Sequence, residues 1–106
     1  MAQFDVHRNR GPNRDTIPYV VTVQSSLFDD YKRRVVVPLV KKSRLDKISH
    51  PRFNPTFVIE KTPVVLHPLE IVSVPKDQLG KRVDCLAAES DRIVDALDEL
   101  TTRAHG

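Results

Sequence analysis

The chain has 106 residues, of which 40% are hydrophobic and 29% are charged, and its net charge is +3 at pH 7. This composition indicates one globular domain over residues 1–106, and no apolar run reaches the roughly 18–20 residues that a membrane-spanning helix needs. We expect no signal peptide at the polar N-terminus and, because Cys85 is the single cysteine, no intramolecular disulfide, which suits a reducing cytoplasm.

Short apolar runs rich in β-branched residues predict several β-strands before residue 75. In the first strand, over residues 3–7, Phe4 and Val6 alternate with Asp5 and His7, so we expect this strand to be half exposed. Further strands are predicted over residues 17–23, 35–39, 56–60, 64–67 and 69–74, with the fourth and fifth strands forming a hairpin. Pro38 has no amide donor, and it therefore predicts a bulge or an edge in the third strand.

The hydrophobic period changes near residue 87, where the pattern predicts a C-terminal helix. Its apolar face is formed by residues at i, i+3, i+4, i+7 and i+11, namely Ile93, Ala96, Leu97, Leu100 and Ala104. Several short strands followed by one late helix indicate a mainly β (α+β) domain, built as a small antiparallel barrel or sandwich.

The connection between the second and third strands, residues 24–34, is too long for a tight hairpin turn. It carries two large apolar residues, Leu27 and Phe28, and it is long enough to have a function of its own. We expect Arg33 and Arg34, at the junction of this loop with the third strand, to face solvent.

The charge is unevenly distributed along the chain. Residues 1–61 carry 12 Lys/Arg and 6 Asp/Glu, a net of +6, whereas residues 62–106 carry 5 and 8, a net of −3. Basic loops at residues 8–14 and 41–47 suit an acidic partner or nucleic acid. The low aromatic content (6%) gives no stacking platform for single strands, so we expect no direct nucleic-acid binding by the chain alone.

No motif for catalysis or metal binding appears in the sequence. The four histidines (His7, His50, His67 and His105) do not pair with each other or with Cys85 at metal-ligand spacing, and the three glycines form no phosphate-binding loop. We therefore predict no catalytic residue, metal or cofactor, and we expect the protein not to be an enzyme.

Two blocks of the sequence are distinctive. The first is Val23-Gln24-Ser25, two apolar residues, Asp29 and then Arg33-Arg34-Val35-Val36-Val37-Pro38-Leu39; the second is Val72-Ser73-Val74-Pro75 with Leu79-Gly80 and Val83. Both blocks closely resemble the CcdB family. The opening residues 1–6 and the helical positions Ile93, Ala96 and Leu97 also resemble this family. These blocks are spread over nearly the whole chain.

The resemblance implies a toxin of a type II toxin–antitoxin module. The family fold is an SH3-like barrel of antiparallel strands, like that of MazF, with a smaller second sheet and one C-terminal helix. Family members form homodimers, bind the A subunit of DNA gyrase and trap gyrase on cleaved DNA. A CcdA antitoxin, through a disordered segment, removes the toxin from gyrase.

The resemblance also implies which residues bind gyrase, whereas the antitoxin-binding residues stay unknown and their candidates come from the charge of the two basic loops. By position, the gyrase-binding residues are Leu27, Phe28, Asp98, Thr102, Arg103 and Ala104. Candidates for binding an acidic CcdA-like antitoxin are the basic residues Arg8, Arg10, Arg14, Lys41, Lys42 and Arg44. Family toxins commonly end in Phe-Trp-Gly-Ile, whereas this chain has Thr101-Thr102-Arg103-Ala104 at those positions.

Three alternatives stay open. A CcdB homologue with this altered tail would bind the antitoxin without poisoning gyrase. A MazF-like endoribonuclease toxin would use Arg33 or Arg34 together with Thr22, Ser25 or Ser26. A plain nucleic-acid binder would use the two basic loops.

Overall fold

A computed structural model describes residues 2–45, 47–48 and 50–101. In this part of the chain, seven β-strands precede one α-helix, and short 3₁₀ turns lie between them. The strands are β1 (Asp5–Asn9), β2 (Tyr19–Thr22), β3 (Arg33–Lys41), β4 (Thr56–Ile59), β5 (Thr62–Leu66), β6 (Val72–Pro75) and β7 (Leu79–Cys85), and the helix α1 is Ser90–Thr101. No helix in the described ranges is long and apolar enough to cross a membrane.

The strands form a curled antiparallel sheet in the order β4-β5-β3-β2-β1-β7, and β6 branches from it by pairing with β3. One edge of β3 pairs with β2, while its other edge pairs with β6 at residues 33–36 and with β5 at residues 39–41. The curled sheet and its branch, with the single C-terminal helix, confirm the predicted mainly β, SH3-like barrel fold.

The antiparallel pairing gives the sheet two distinct ends. Residues 23–32 connect β2 to β3 at one end, which we call the loop end. The connection from β1 to β2, the C-terminal end of β3 and the β4–β5 turn lie at the opposite end, which we call the basic end. Surfaces at these two ends are therefore separated by the length of the strands.

The main core lies between one face of the sheet and α1. Strands β1 to β5 and the apolar face of the helix supply most of its side chains, and β7 adds the partly buried Val83. The buried members are Phe4, Val6, Tyr19, Val21, Val37, Leu39, Phe57, Ile59, Val64, Leu66, Leu86, Ile93 and Ala96. The helix is also tied to β4, because the Arg92 guanidinium lies 4.3 Å from the centre of the Phe57 ring and donates to the Thr56 carbonyl.

Pro38 occupies a position in β3 where its missing donor costs no hydrogen bond to β2. The two backbone polar groups of a strand residue point to the same edge. The Pro38 carbonyl accepts from the His67 amide on the edge away from β2, so the proline nitrogen also faces that edge, between the segments that pair with β6 and β5. β3 is an interior strand and its register with β2 is continuous through Pro38, so the predicted bulge or edge is wrong. The proline is accommodated instead where the partner of β3 changes from β6 to β5.

The predicted β4–β5 hairpin is confirmed, with a turn made by Glu60 and Lys61. Both have positive φ angles, 49° and 65°, as a two-residue type I′ turn requires. The Glu60 carboxylate accepts a hydrogen bond from the Tyr19 hydroxyl at 2.7 Å and lies 2.9 Å from the Arg8 guanidinium. The turn thus folds over towards β1 and β2 at the basic end.

Three further expectations about the positions of the strands differ from the structure. The first strand is not half exposed, because Asp5 and His7 are both buried beside β7. No strand was predicted over Leu79–Cys85, where few apolar residues alternate, yet β7 pairs along β1. The sixth strand begins only at Val72, because Pro68–Glu70 forms a 3₁₀ turn that contacts α1.

Candidate functional site

The loop at the loop end presents two large apolar side chains to solvent. Leu27 is 80% exposed and Phe28 is 46% exposed, and both lie in the 3₁₀ turn Ser26–Phe28. The Ser25 hydroxyl caps this turn by accepting from the Leu27 amide at 3.2 Å, and the Ser25 carbonyl accepts from the Phe28 amide at 3.0 Å. The turn therefore fixes the backbone from which both side chains project.

Gln24 and Arg34 close the loop from its two ends. The Gln24 amide group donates to the Phe28 carbonyl at 3.0 Å and accepts from the Val35 amide at 3.0 Å. The Arg34 guanidinium donates to the carbonyl oxygens of Asp29, Tyr31 and Arg33, at 2.8 Å for Asp29 and 2.9 Å for Arg33. Arg34 is only 3% exposed, so the expectation that it faces solvent is wrong, whereas Arg33 is exposed as expected.

The root of this loop is connected to the start of α1 through the N-terminal segment. The Phe4 amide donates to the Thr22 carbonyl, the last residue of β2, at 2.6 Å. The Phe4 carbonyl in turn accepts from the Leu86 amide at 2.9 Å, just before the helix. The loop and the helix are thus anchored at the same end of the sheet.

The predicted helix-end half of the gyrase site is only partly described. Asp98 is an exposed residue of α1. Thr102, Arg103 and Ala104 lie outside the described residues. The joining of Leu27 and Phe28 with the tail into one surface therefore stays a prediction.

At the basic end, three of the predicted antitoxin-binding residues line one cavity. Arg8, Arg10 and Arg14 surround a space of about 490 Å³, which is completed by Gly80 and Lys81 of β7. Arg8 is paired with Glu60, so Arg10, Arg14 and Lys81 supply the larger part of the positive charge there. Lys81 was not predicted, because the sequence pattern did not show that β7 pairs with β1.

The other three predicted basic residues lie close to this cavity. Lys41 ends β3 with its side chain partly buried, and Lys42 and Arg44 are exposed in the 3₁₀ turn that follows. The ends of β1 and β3 are separated by β2 alone, about 10 Å at the usual strand spacing. The structure therefore places all six basic candidates at one end of the sheet.

The residues that a MazF-like endoribonuclease would use, Arg33 or Arg34 with Thr22, Ser25 or Ser26, do not form an open site. Thr22 is buried, and the Arg34 guanidinium is occupied by backbone carbonyls. The exposed Arg33 donates instead to the hydroxyl and the carbonyl of Ser73 on β6, at 2.9 and 2.7 Å. Among residues 2–45, 47–48 and 50–101, no three His, Cys, Asp or Glu side chains are placed to bind a metal ion.

A buried electrostatic cluster lies where β1 pairs with β7. Burial alone would raise the pKa of Asp5, but the hydrogen bond from the Ala2 amide and the Arg82 guanidinium outweigh it, so the pKa of Asp5 lies below its ordinary value. Burial lowers the pKa of His7; Asp5 opposes this effect and Arg82 adds to it. Both residues are buried and neither lines the basic cavity, so we assign the cluster to stability.

Tyr31 is a large exposed residue in the loop to which the sequence pattern assigned no role. It is 65% exposed, and its ring packs edge-on against Phe28 with 6.0 Å between ring centres and 74° between ring planes. For Arg34, the sequence does carry a signal: it lies two residues before Val36 and therefore on the same face of β3, a spacing that predicts an inward-facing arginine. Nothing in the sequence would have predicted the ring packing.

The sheet, the late helix and the exposed loop define a small barrel of the SH3-like class. The CcdB protein family model matches residues 3–102 of this chain. The chain therefore belongs to the CcdB family, whose members are toxins of toxin–antitoxin systems. The comparison with curated proteins found no match.

Proposed function

We propose that this chain is the toxin of a type II toxin–antitoxin system, that it binds and poisons the A subunit of DNA gyrase, and that a CcdA-like antitoxin neutralises it. One observation carries the proposal. In a chain of the CcdB family, the two residues at the positions of the family's gyrase contacts, Leu27 and Phe28, are exposed on a hydrogen-bonded loop. The toxin acts by binding, without chemistry of its own.

The apolar side chains of the loop supply affinity when a partner covers them. Full burial of a Leu or Phe side chain contributes about 1.5–3 kcal/mol. Since 1.4 kcal/mol corresponds to a tenfold change, we expect the loss of either side chain to weaken the complex by about 10–100-fold. Exposed apolar residues that lie elsewhere should contribute nothing.

The test measures the dissociation constant between the purified chain and the gyrase A subunit. Leu27→Ala and Phe28→Ala should weaken binding as stated. Val58→Ala is the matched control, because Val58 is also an exposed apolar residue but lies near the β4–β5 turn at the basic end. Absence of binding by the wild-type chain, or equal affinity for all three variants, rejects the gyrase-binding proposal.

A second assay distinguishes poisoning from binding alone. Supercoiling by gyrase should stop in the presence of the chain, and cleaved DNA should accumulate. Asp98→Ala should reduce that accumulation if the helix end belongs to the site, and so should alanine at Thr102 or Arg103. Tight binding with no cleaved DNA would instead support the homologue that binds partners without poisoning gyrase.

The basic end is the proposed surface for the antitoxin. An acidic, disordered CcdA-like segment would be attracted to Arg10, Arg14 and Lys81 around the cavity and to Lys42 and Arg44 nearby. Arg10→Glu with Arg14→Glu should weaken antitoxin binding and reduce its dependence on salt. Lys32→Glu is the matched control, since Lys32 is exposed at the loop end. Equal weakening by both would reject this surface.

The resemblance supports two further parts of the proposal. The toxin is a homodimer, and it acts in the cytoplasm, where gyrase is found. Light scattering on the purified chain should give the mass of two copies at micromolar concentration. A monomer at every concentration that retains gyrase binding would reject the dimer as the binding form.

A further inference from the structure

We propose that Tyr31 is a further contact residue of the same partner-binding surface as Leu27 and Phe28, and that Arg34 is the residue that positions it. This inference rests on the proposed function, because it takes the gyrase A subunit as the partner that covers the loop.

The first argument is the arrangement of the exposed side chains. Leu27, Phe28 and Tyr31 fall within five residues, and each is large, apolar in its body and open to solvent. The edge-on contact between the Phe28 and Tyr31 rings makes the two aromatic residues one continuous surface. A partner that covers Phe28 therefore also meets Tyr31.

The second argument is the chemistry of tyrosine at interfaces. Tyr buries a large ring at a low cost in side-chain entropy and keeps a hydroxyl for a hydrogen bond, which is why it is enriched among the residues that dominate binding. The Tyr31 ring is held on one side by Phe28 and is free to be covered on the other. The partner should present an apolar groove with a polar group at its rim.

The third argument is the way the backbone of this segment is held. The Tyr31 carbonyl accepts a hydrogen bond from the buried Arg34 guanidinium, and the Tyr31 amide donates to the Phe28 carbonyl at 3.1 Å. The same Phe28 carbonyl accepts from Gln24. Arg34 thus fixes the backbone of Tyr31 from within the loop, while its own side chain is too buried to contact a partner.

Binding to the gyrase A subunit tests the contact residue. We expect Tyr31→Ala to weaken binding by at least about tenfold, and Tyr31→Phe by less than about threefold, because the ring supplies most of the contact. Leu27→Ala is the positive control and Val58→Ala the neutral one. If Leu27→Ala weakens binding and Tyr31→Ala does not, this inference is wrong while the proposed function stands. If the wild-type chain does not bind, both are rejected.

Hydrogen exchange of the loop amides tests the positioning role independently of gyrase. In Arg34→Lys, which keeps the charge but not the fork of donors, the amides of Phe28, Asp29 and Tyr31 should exchange at least about tenfold faster. The amides of β2 and β3 should be unchanged, which separates a loop effect from general destabilisation. Arg33→Lys is the matched control, because Arg33 bonds to Ser73 and not to the loop.

The positioning role predicts coupled results in exchange and binding. Gln24→Met removes one hydrogen bond within the loop and one to the Val35 amide of β3 without touching the buried arginine, and it provides a second variant if Arg34→Lys unfolds. Faster loop exchange together with weaker gyrase binding supports the proposal. The proposal is overturned if the loop amides of Gln24→Met, and of Arg34→Lys where it folds, exchange at the wild-type rate. It is also overturned if the loop amides exchange faster while the affinity for gyrase is unchanged.

Discussion

The guanidinium Nε of Arg82 on β7 lies 3.0 Å from the Oδ1 atom of Asp5 on β1. The carboxylate is buried while the arginine side chain is about half exposed, so the ion pair is covered from one side only. The other carboxylate oxygen of Asp5 accepts from the Ala2 amide at 2.9 Å. This pair joins the last strand of the sheet to the first at the point where the chain turns towards the helix.

Asp5→Asn should lower the free energy of unfolding at pH 7 by about 1–3 kcal/mol, because the charge-assisted bonds are lost. A carboxyl whose folded pKa is depressed stabilises the fold above its unfolded pKa and ceases to do so as the pH falls through the folded pKa. Wild-type stability should therefore fall below about pH 4, with a smaller fall in Asp5→Asn. Urea unfolding from pH 7 to pH 2 measures this, and the exposed Asp77→Asn is the control that should not differ from wild type.

His7 should make the fold less stable as the pH drops below neutrality. Its folded pKa is lowered by burial, so the unfolded chain takes up a proton in a range where the folded chain does not. The free energy of unfolding should thus decrease as the pH falls from about 6.5 towards the folded pKa. His7→Gln should remove this slope in urea titrations, whereas the exposed His50→Gln should keep it. An equal slope in all three proteins would contradict the assignment.

Gly80→Ala should destabilise the pairing of β7 with β1. A Cβ atom at Gly80 would lie 2.9 Å from the Arg8 carbonyl oxygen, and a backbone atom in a sheet cannot move away easily. We expect a loss of about 1–3 kcal/mol in the free energy of unfolding. Gly11→Ala is the control, because its nearest contact is the Asn9 side chain at 3.3 Å, and it should lose less than half as much in denaturant unfolding.

Lys61→Gly should stabilise the protein. The left-handed conformation of Lys61 is unfavourable for a residue with a Cβ atom, and glycine adopts it freely at some cost in unfolded-chain entropy, leaving a gain of about 0.5–1 kcal/mol. Thermal or urea unfolding measures the gain. Lys81→Gly, within a strand and without positive φ, should instead lose stability. Stabilisation by both, or by neither, would contradict the role assigned to the turn.

Much of the fold follows from local patterns in the sequence. β2, β3 and the β4–β5 hairpin are rich in β-branched residues, and the apolar face of α1 contains Ile93 and Ala96, which are buried. The sequence pattern does not predict β7, because Leu79 is its one buried residue and the strand depends on its hydrogen bonds with β1. Tertiary pairing of this kind cannot be deduced from a single segment.

The candidate site was predictable where the residue type and the position both indicate exposure. Leu27 and Phe28 stood out as apolar residues in a polar loop, and the structure places both in solvent. The expectation for Arg34 is wrong because a charged residue usually faces solvent, whereas here three carbonyl oxygens accept from the two terminal nitrogens of its buried guanidinium. Which carbonyls converge on one point depends on the folded loop, and no sequence pattern specifies it.

β3 begins directly after the loop that carries Leu27 and ends at Lys41, beside the basic cavity. Its nine residues span about 30 Å in extended conformation, and this length sets the distance between the loop and the basic cavity. If the two surfaces bind the antitoxin and gyrase as proposed, a peptide bound only at Arg10 and Arg14 would leave the loop open to gyrase. To cover Leu27 as well, that peptide would need about nine further extended residues. The length of the antitoxin peptide would therefore decide whether gyrase stays bound to the loop.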